Sequence, residues 1–171
     1  MNEPATDKLD HGAVFDGPYR YLLWRTLSPL INSGTILFVM LNPSTATATD
    51  DDPTIRRVKS FANLWGYRTL EVVNAFAIRS TDPVGLLSVE DPVGLDNDDH
   101  IREAATRADK IVVAWGAAEA IRGKREKEVL SLLGDDVHCL GTTQGGHPKH
   151  PLYVPAKTKP ILYKPIEMSD A

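Results

Sequence analysis

The chain has 171 residues and a mass of 18.8 kDa, with 42% hydrophobic and 25% charged residues, which is enough for one domain with a sizeable core and too ordinary for wholesale disorder or a fibrous repeat. With 19 Lys and Arg against 23 Asp and Glu, the formal charge is −4 and the isoelectric point about 5.7, a balance that argues against a generic electrostatic binder of DNA or membrane surfaces. Cys139 is the single cysteine, which excludes an intrachain disulfide, a four-cysteine zinc site and a cysteine-held iron–sulfur cluster, and suits a cytoplasmic setting.

Residues 1–10 are polar and acidic, without the basic and apolar regions of a secretory signal, and read as a frayed tail. The domain boundaries expected are a flexible tail over 1–18, one α/β domain over 19–166 and a short tail over 167–171. No apolar run approaches the roughly 20 residues that a membrane-spanning helix needs. Tyr19 to Leu27 reads as a strand closed by Ser28-Pro29, and Thr35 to Leu41 as a strand buried on both faces that runs into Asn42-Pro43-Ser44. Asp52-Pro53 has the form of a helix cap followed by proline at the first helical position. Ile55, Val58, Phe61, Ala62 and Trp65 then recur at helical spacing, and the helix is expected to end near Gly66.

Thr69 to Ile78 reads as another buried strand, with Asn74 set inside it. A helix over Asp96 to Asp109 leads into a strand over Lys110 to Trp115; a helix over 117–133 and a short strand over Val137 to Leu140 follow. Alternating apolar strands and amphipathic helices imply a three-layer α/β/α sandwich with a mostly parallel central sheet. In such sheets ligands lie outside the carboxyl ends of the strands. Asn42, Asn74, Trp115-Gly116 and His147 all fall at or just beyond predicted strand ends, so they are expected to converge in one cleft.

Several familiar sites are absent from the sequence. There is no GxSxG nucleophile elbow, no GxxxxGK[ST] phosphate loop and no GxGxxG dinucleotide fingerprint, so no cofactor is expected. Cys139 sits in an apolar setting that suits a packed thiol. His147-x-x-His150 has the spacing of two metal ligands but neither an HExxH motif nor a cysteine partner, so no metal site is expected. A hydrolase using Ser44 or His147 as nucleophile or base would need an Asp/Glu–His pairing that sequence does not reveal. The mixed-sign run Arg122 to Glu128 reads as a solvated helix face.

What remains is Asn42-Pro43-Ser44, Asn74 and His147-Pro148 on separate strand ends. Taken singly, Asn42 also reads as a turn cap, Asn74 as a partner for a backbone group and His147 as a loop histidine. Taken together, and with the stretches FVMLNPSTA, DDPTIRR, VVNAFAIRSTDP, VVAWG and GHPKHPLY, the chain from about Tyr19 to Pro155 resembles the bacterial family called domain of unknown function 1643, and more remotely the uracil-DNA glycosylase superfamily. Leu41-Asn42-Pro43-Ser44 resembles the first glycosylase motif, which positions water. Val73-Asn74 resembles the strand whose Asn reads the base edge, and His147-Pro148 resembles the start of the second motif, whose histidine donates to the departing base.

The resemblance implies a glycosylase-like fold acting on a nucleobase N-glycosidic bond, with Asn42 holding water and His147 as donor. An amide is a poor general base, so Asp50, Asp51 or Asp52 would compensate, Asp52 being the catalytic candidate. Asn74 would pair with a base edge, with Phe76 or Trp65 stacking on it and Pro43, Ser44, Trp115 and Lys149 in contact with the ligand. Arg56 and Arg57, beside a helix start, are candidates for a phosphate, or alternatively for pairing with Asp50 to Asp52. Leu41 stands where the glycosylases have glycine, and Lys149-His150 replaces a small residue. Duplex, single strand, RNA and free nucleoside or nucleotide therefore all stay open, as does a non-catalytic binding module using the same cleft.

Overall fold

The computed structural model describes residues 11–27 and 32–165. The expected tails over 1–10 and 167–171 lie outside the described residues. Seven strands form one sheet: β1 (His11–Asp16), β2 (Tyr19–Thr26), β3 (Thr35–Met40), β4 (Thr69–Asn74), β5 (Lys110–Val113), β6 (Val137–Cys139) and β7 (Ile161–Leu162), in the order β1-β2-β4-β3-β5-β6-β7. The central strands β4, β3, β5 and β6 run parallel, whereas β1–β2, β2–β4 and β6–β7 pair antiparallel. The sheet is therefore mixed rather than mostly parallel, with its parallel part in the middle.

Helix α1 (Pro53–Leu64) follows β3, α2 (Asn97–Arg107) follows β4 and α3 (Lys124–Leu133) precedes β6. Alternation along the strands explains where they dock. Ile36, Phe38 and Met40 of β3 share one core cluster with Ile55, Val58 and Phe61 of α1. Leu37 and Val39 share another with Ile101 of α2 and Val129 of α3. Both faces of the central strands are thus covered, which is why their sequences read as unbroken apolar runs.

Asp52 caps α1 as expected, accepting from the Ile55 amide at 2.8 Å, and Pro53 takes the first position. Four expectations need correction. His11–Asp16, assigned above to a flexible tail, is a strand paired with β2. The strand expected to reach Ile78 ends at Asn74; beyond it the Ala75 and Phe76 amides still bond Met40 O and Leu41 O, the Ala77 amide bonds Val93 O, and Ile78 makes only an isolated bridge to Tyr19, so the buried chain leaves the regular ladder. The helix expected over 117–133 is interrupted at Gly123, whose φ of 81° breaks it into a short 3-10 turn, Glu119–Ile121, and α3. Arg125 is not on a solvated face: its buried side chain binds Asp98, Glu128 and the Ala75 carbonyl. Among the described residues no helix is long and apolar enough to cross a membrane.

Candidate functional site

A cleft of about 370 Å³ opens at the carboxyl ends of the parallel strands, the position at which open α/β sheets take ligands. The chain beyond β3 supplies Asn42 and Ser44, the last residue of β4 is Asn74, and Trp115 and Gly116 follow β5. Asp52 and Thr54 at the start of α1, Arg20 of β2, Ser80, Thr81, His150 and Tyr153 add to the polar lining.

Asn74 is 1% exposed, and neither its Oδ1 nor its Nδ2 has a hydrogen-bond partner among the described residues. An unpaired buried polar group costs on the order of 1–3 kcal/mol, a deficit that a ligand edge would repair. The backbone around it is tightly held. Asn97 Nδ2 donates to Asn74 O at 2.9 Å, and Arg125 Nε donates to Ala75 O at 2.8 Å. Asn42 is oriented by its own amide, whose Nδ2 donates to Pro43 O at 3.1 Å and Ser80 O at 2.8 Å; Oδ1 is left as its acceptor.

Arg20, 2% exposed, donates from Nη1 to Ala46 O at 3.1 Å, while its Nε has no partner among the described residues. Burial pulls this guanidinium down to about 10, and nearby Asp52 opposes that shift. Asp52 itself is committed to the backbone: Oδ1 caps Ile55, and Oδ2 accepts from the Ala46 amide at 3.2 Å. The carboxylate expected to act as a base therefore fixes the wall of the cleft through both oxygens. Trp115 lines the cleft with its buried Nε1 also unpartnered.

The histidine in the cleft is His150, not His147. His150 Nδ1 accepts from the Leu152 amide at 3.2 Å, so in the neutral ring the proton sits on Nε2 and that nitrogen is a donor. Burial holds His150 below the ordinary histidine range, with Asp52 opposing, which favours that neutral form. The signal was present in the sequence, because HPKHP contains a second His-Pro pair, His150-Pro151. Choosing between the pairs needs the turn Thr142–Pro148, which folds back on itself and carries His147 away.

His147 lines a separate crevice of about 130 Å³ with Arg122, Glu126 and Tyr163. Of the other sequence candidates, Ser44 and Trp115 line the cleft and the remainder do not. Pro43 is buried, and Phe76 lies in the core shared with α2 and α3. Trp65 stacks on Phe38 and Phe61. Arg56 borders a groove with Lys59 and donates to Asp51 O, and Arg57 lies over the Phe61 ring. The Lys149 side chain runs beside Gly141. Among the described residues no three His, Cys, Asp or Glu side chains gather closely enough to hold a metal ion.

The arrangement offers an amide free at both ends, a neutral imidazole N–H, a buried guanidinium and an amide oxygen, all around one apolar-floored cleft. Such a set carries the donors and acceptors that could meet the edge of a planar polar heterocycle. A family model described as Protein of unknown function (DUF1643) matches residues 20–152. No curated protein and no solved structure matches the chain.

Proposed function

The chain belongs to the DUF1643 family, and on the geometry of its cleft we propose that it binds a nucleobase and hydrolyses the N-glycosidic bond joining that base to a sugar, within a glycosylase-like α/β/α fold. The observation that carries this reading is Asn74, a buried amide at a strand end with donor and acceptor both unpaired. An amide so presented matches a base edge that offers one acceptor and one donor.

In the reaction the C–N bond breaks, with its electron pair leaving on the base. His150 Nε2–H donates a hydrogen bond to the base oxygen where negative charge collects. A water accepted by Asn42 Oδ1 adds to the anomeric carbon and releases its proton to solvent. Asn42 orients this water without deprotonating it, so turnover is slow. A cytoplasmic setting accompanies the reading, supported by the single, buried thiol of Cys139.

One observation favours a second reading, a nucleobase-binding module without catalysis: both oxygens of Asp52 are occupied by backbone amides, so the acidic residue in the cleft is not free to act as base. Incubation with single- and double-stranded uracil and hypoxanthine oligonucleotides and with free nucleosides, followed by mass spectrometry, separates the two. Base release abolished by His150→Ala supports hydrolysis. Binding without release, lost in Asn74→Ala, supports the module. Neither release nor binding rejects both.

A further inference from the structure

Beside the cleft lies a shallow annex lined by Ser44, Arg79, Ser80 and Thr81, three of which also line the cleft itself. Arg79 lines the annex, and Arg20 lines the adjoining cleft. Arg79 Nε donates to Ser44 O at 3.5 Å, and Arg20 Nη1 donates to Ala46 O two residues on. Neither arginine has an ion pair among the described residues. For Arg79, exposed and resting over the Phe15 ring, that costs little. For Arg20 it is a different matter, because this buried cation has only Asp52, acting through space, as a nearby counter-charge, and a bound anion would stabilise it further. Asp52 makes no ion pair with it within 4 Å; its two oxygens accept from the Ala46 and Ile55 amides. The Ser80 hydroxyl is engaged with Asp82, which leaves those of Ser44 and Thr81 as further donors beside Arg79.

We propose that this annex is a phosphate subsite, in which Arg79 holds a phosphate carried on the sugar of the nucleoside whose base occupies the cleft, with the Arg20 guanidinium of the adjoining cleft adding positive charge. A phosphate fits better than a carboxylate because it offers three or more acceptor oxygens to donors arriving from several directions. The phosphate role moves to these residues from Arg56 and Arg57, which do not line the cleft. The proposal rests on the nucleobase reading of the cleft, and its test separates the two.

Titration calorimetry at low salt compares uridine and inosine with their 5′- and 3′-monophosphates and with a five-nucleotide single strand centred on deoxyuridine. At least one phosphate-bearing probe is expected to bind about tenfold or more tightly than its bare nucleoside. That advantage disappears in Arg79→Ala while the nucleoside affinity stays the same, with melting curves confirming that the variant folds. Preference for the mononucleotide or for the strand identifies the source of the phosphate. Equal binding of nucleoside and nucleotide, or an advantage that survives Arg79→Ala, overturns the subsite and leaves the cleft reading standing. Failure of every probe, nucleosides included, overturns both.

Discussion

Asn97, fully buried on α2, donates from Nδ2 to the carbonyls of Asn74 and Ala75 at 2.9 and 3.3 Å. It thereby anchors the end of β4 from the face opposite α1, at the residue whose side chain lines the cleft. Arg125 holds the same Ala75 carbonyl from α3. The side chain of Asn74 is thus unpaired while its backbone is pinned by two other helices, a rigid mount for a group that meets a ligand.

Removing that anchor has a defined cost. Asn97→Ala leaves the Asn74 carbonyl without its side-chain donor and the Ala75 carbonyl with that of Arg125 alone, and is expected to lower stability by about 1 kcal/mol. Chemical denaturation measures this, and nucleobase affinity falls with it. Undiminished stability and affinity would remove Asn97 from the support of the site.

Asn74→Leu is expected to act in the opposite sense on stability. It replaces two unpaired buried polar atoms with an apolar side chain of similar size, so the protein gains on the order of 1 kcal/mol while nucleobase binding is abolished. A gain in stability with a loss of binding marks a residue kept for a ligand. A variant that is both less stable and still able to bind would show that Asn74 belongs to the core.

Arg25 organises the segment that leads into α1. Its guanidinium pairs with Asp51 at 2.9 Å and donates to the carbonyls of Gly12, Trp24, Thr47 and Ala48. Arg25→Met is expected to cost about 3 kcal/mol and to loosen the 46–52 segment that Asp52 fastens to α1. Hydrogen exchange at the Ala46 and Ile55 amides reports the loosening, and protection as strong as in the parent chain would refute it.

His150 links pH to stability. Its folded value is depressed from 6.5, so the unfolded chain binds the proton more tightly. Its contribution is complete above about pH 6.5, declines as pH falls from there to the folded value, and is level below that. His138 is shifted in the same direction, so the His150 share is read as the difference between the parent chain and His150→Asn in denaturation curves between pH 5 and 8. Parallel curves for the two proteins would contradict the assignment.

Cys139 is fully buried, and burial raises its thiol. Cys139→Ser is expected to reduce stability modestly and leave binding or base release intact. Loss of activity in a folded variant would bring thiol chemistry back into consideration.

Much of the central sheet was legible because β3, β4 and β5 are covered on both faces and carry continuous apolar runs, while Asp52-Pro53 announces α1. The edges were not. In β1, Gly12 has little strand propensity of its own; it is covered by the ring of its cross-strand partner Trp24, an interaction that exists only once the strands have paired. Asn42 and Asn74 were found because polar residues at the ends of apolar strands stand out. Arg20 was not, because a basic residue inside β2 looks like an outward-facing position on an edge strand until β1 and the 44–46 segment cover it. His150 was obscured by the other His-Pro pair three residues earlier, and only the turn between Thr142 and Pro148 decides which of them reaches the cleft.

The most direct measurement is a heteronuclear NMR titration of ¹⁵N-labelled protein with free uracil and hypoxanthine, following the side-chain amide of Asn74 and the indole N–H of Trp115. Saturable shifts are expected at both with at least one base, together with His150, and none at His147. Shifts confined to the crevice around His147, or no saturable change at Asn74 with either base, would contradict it.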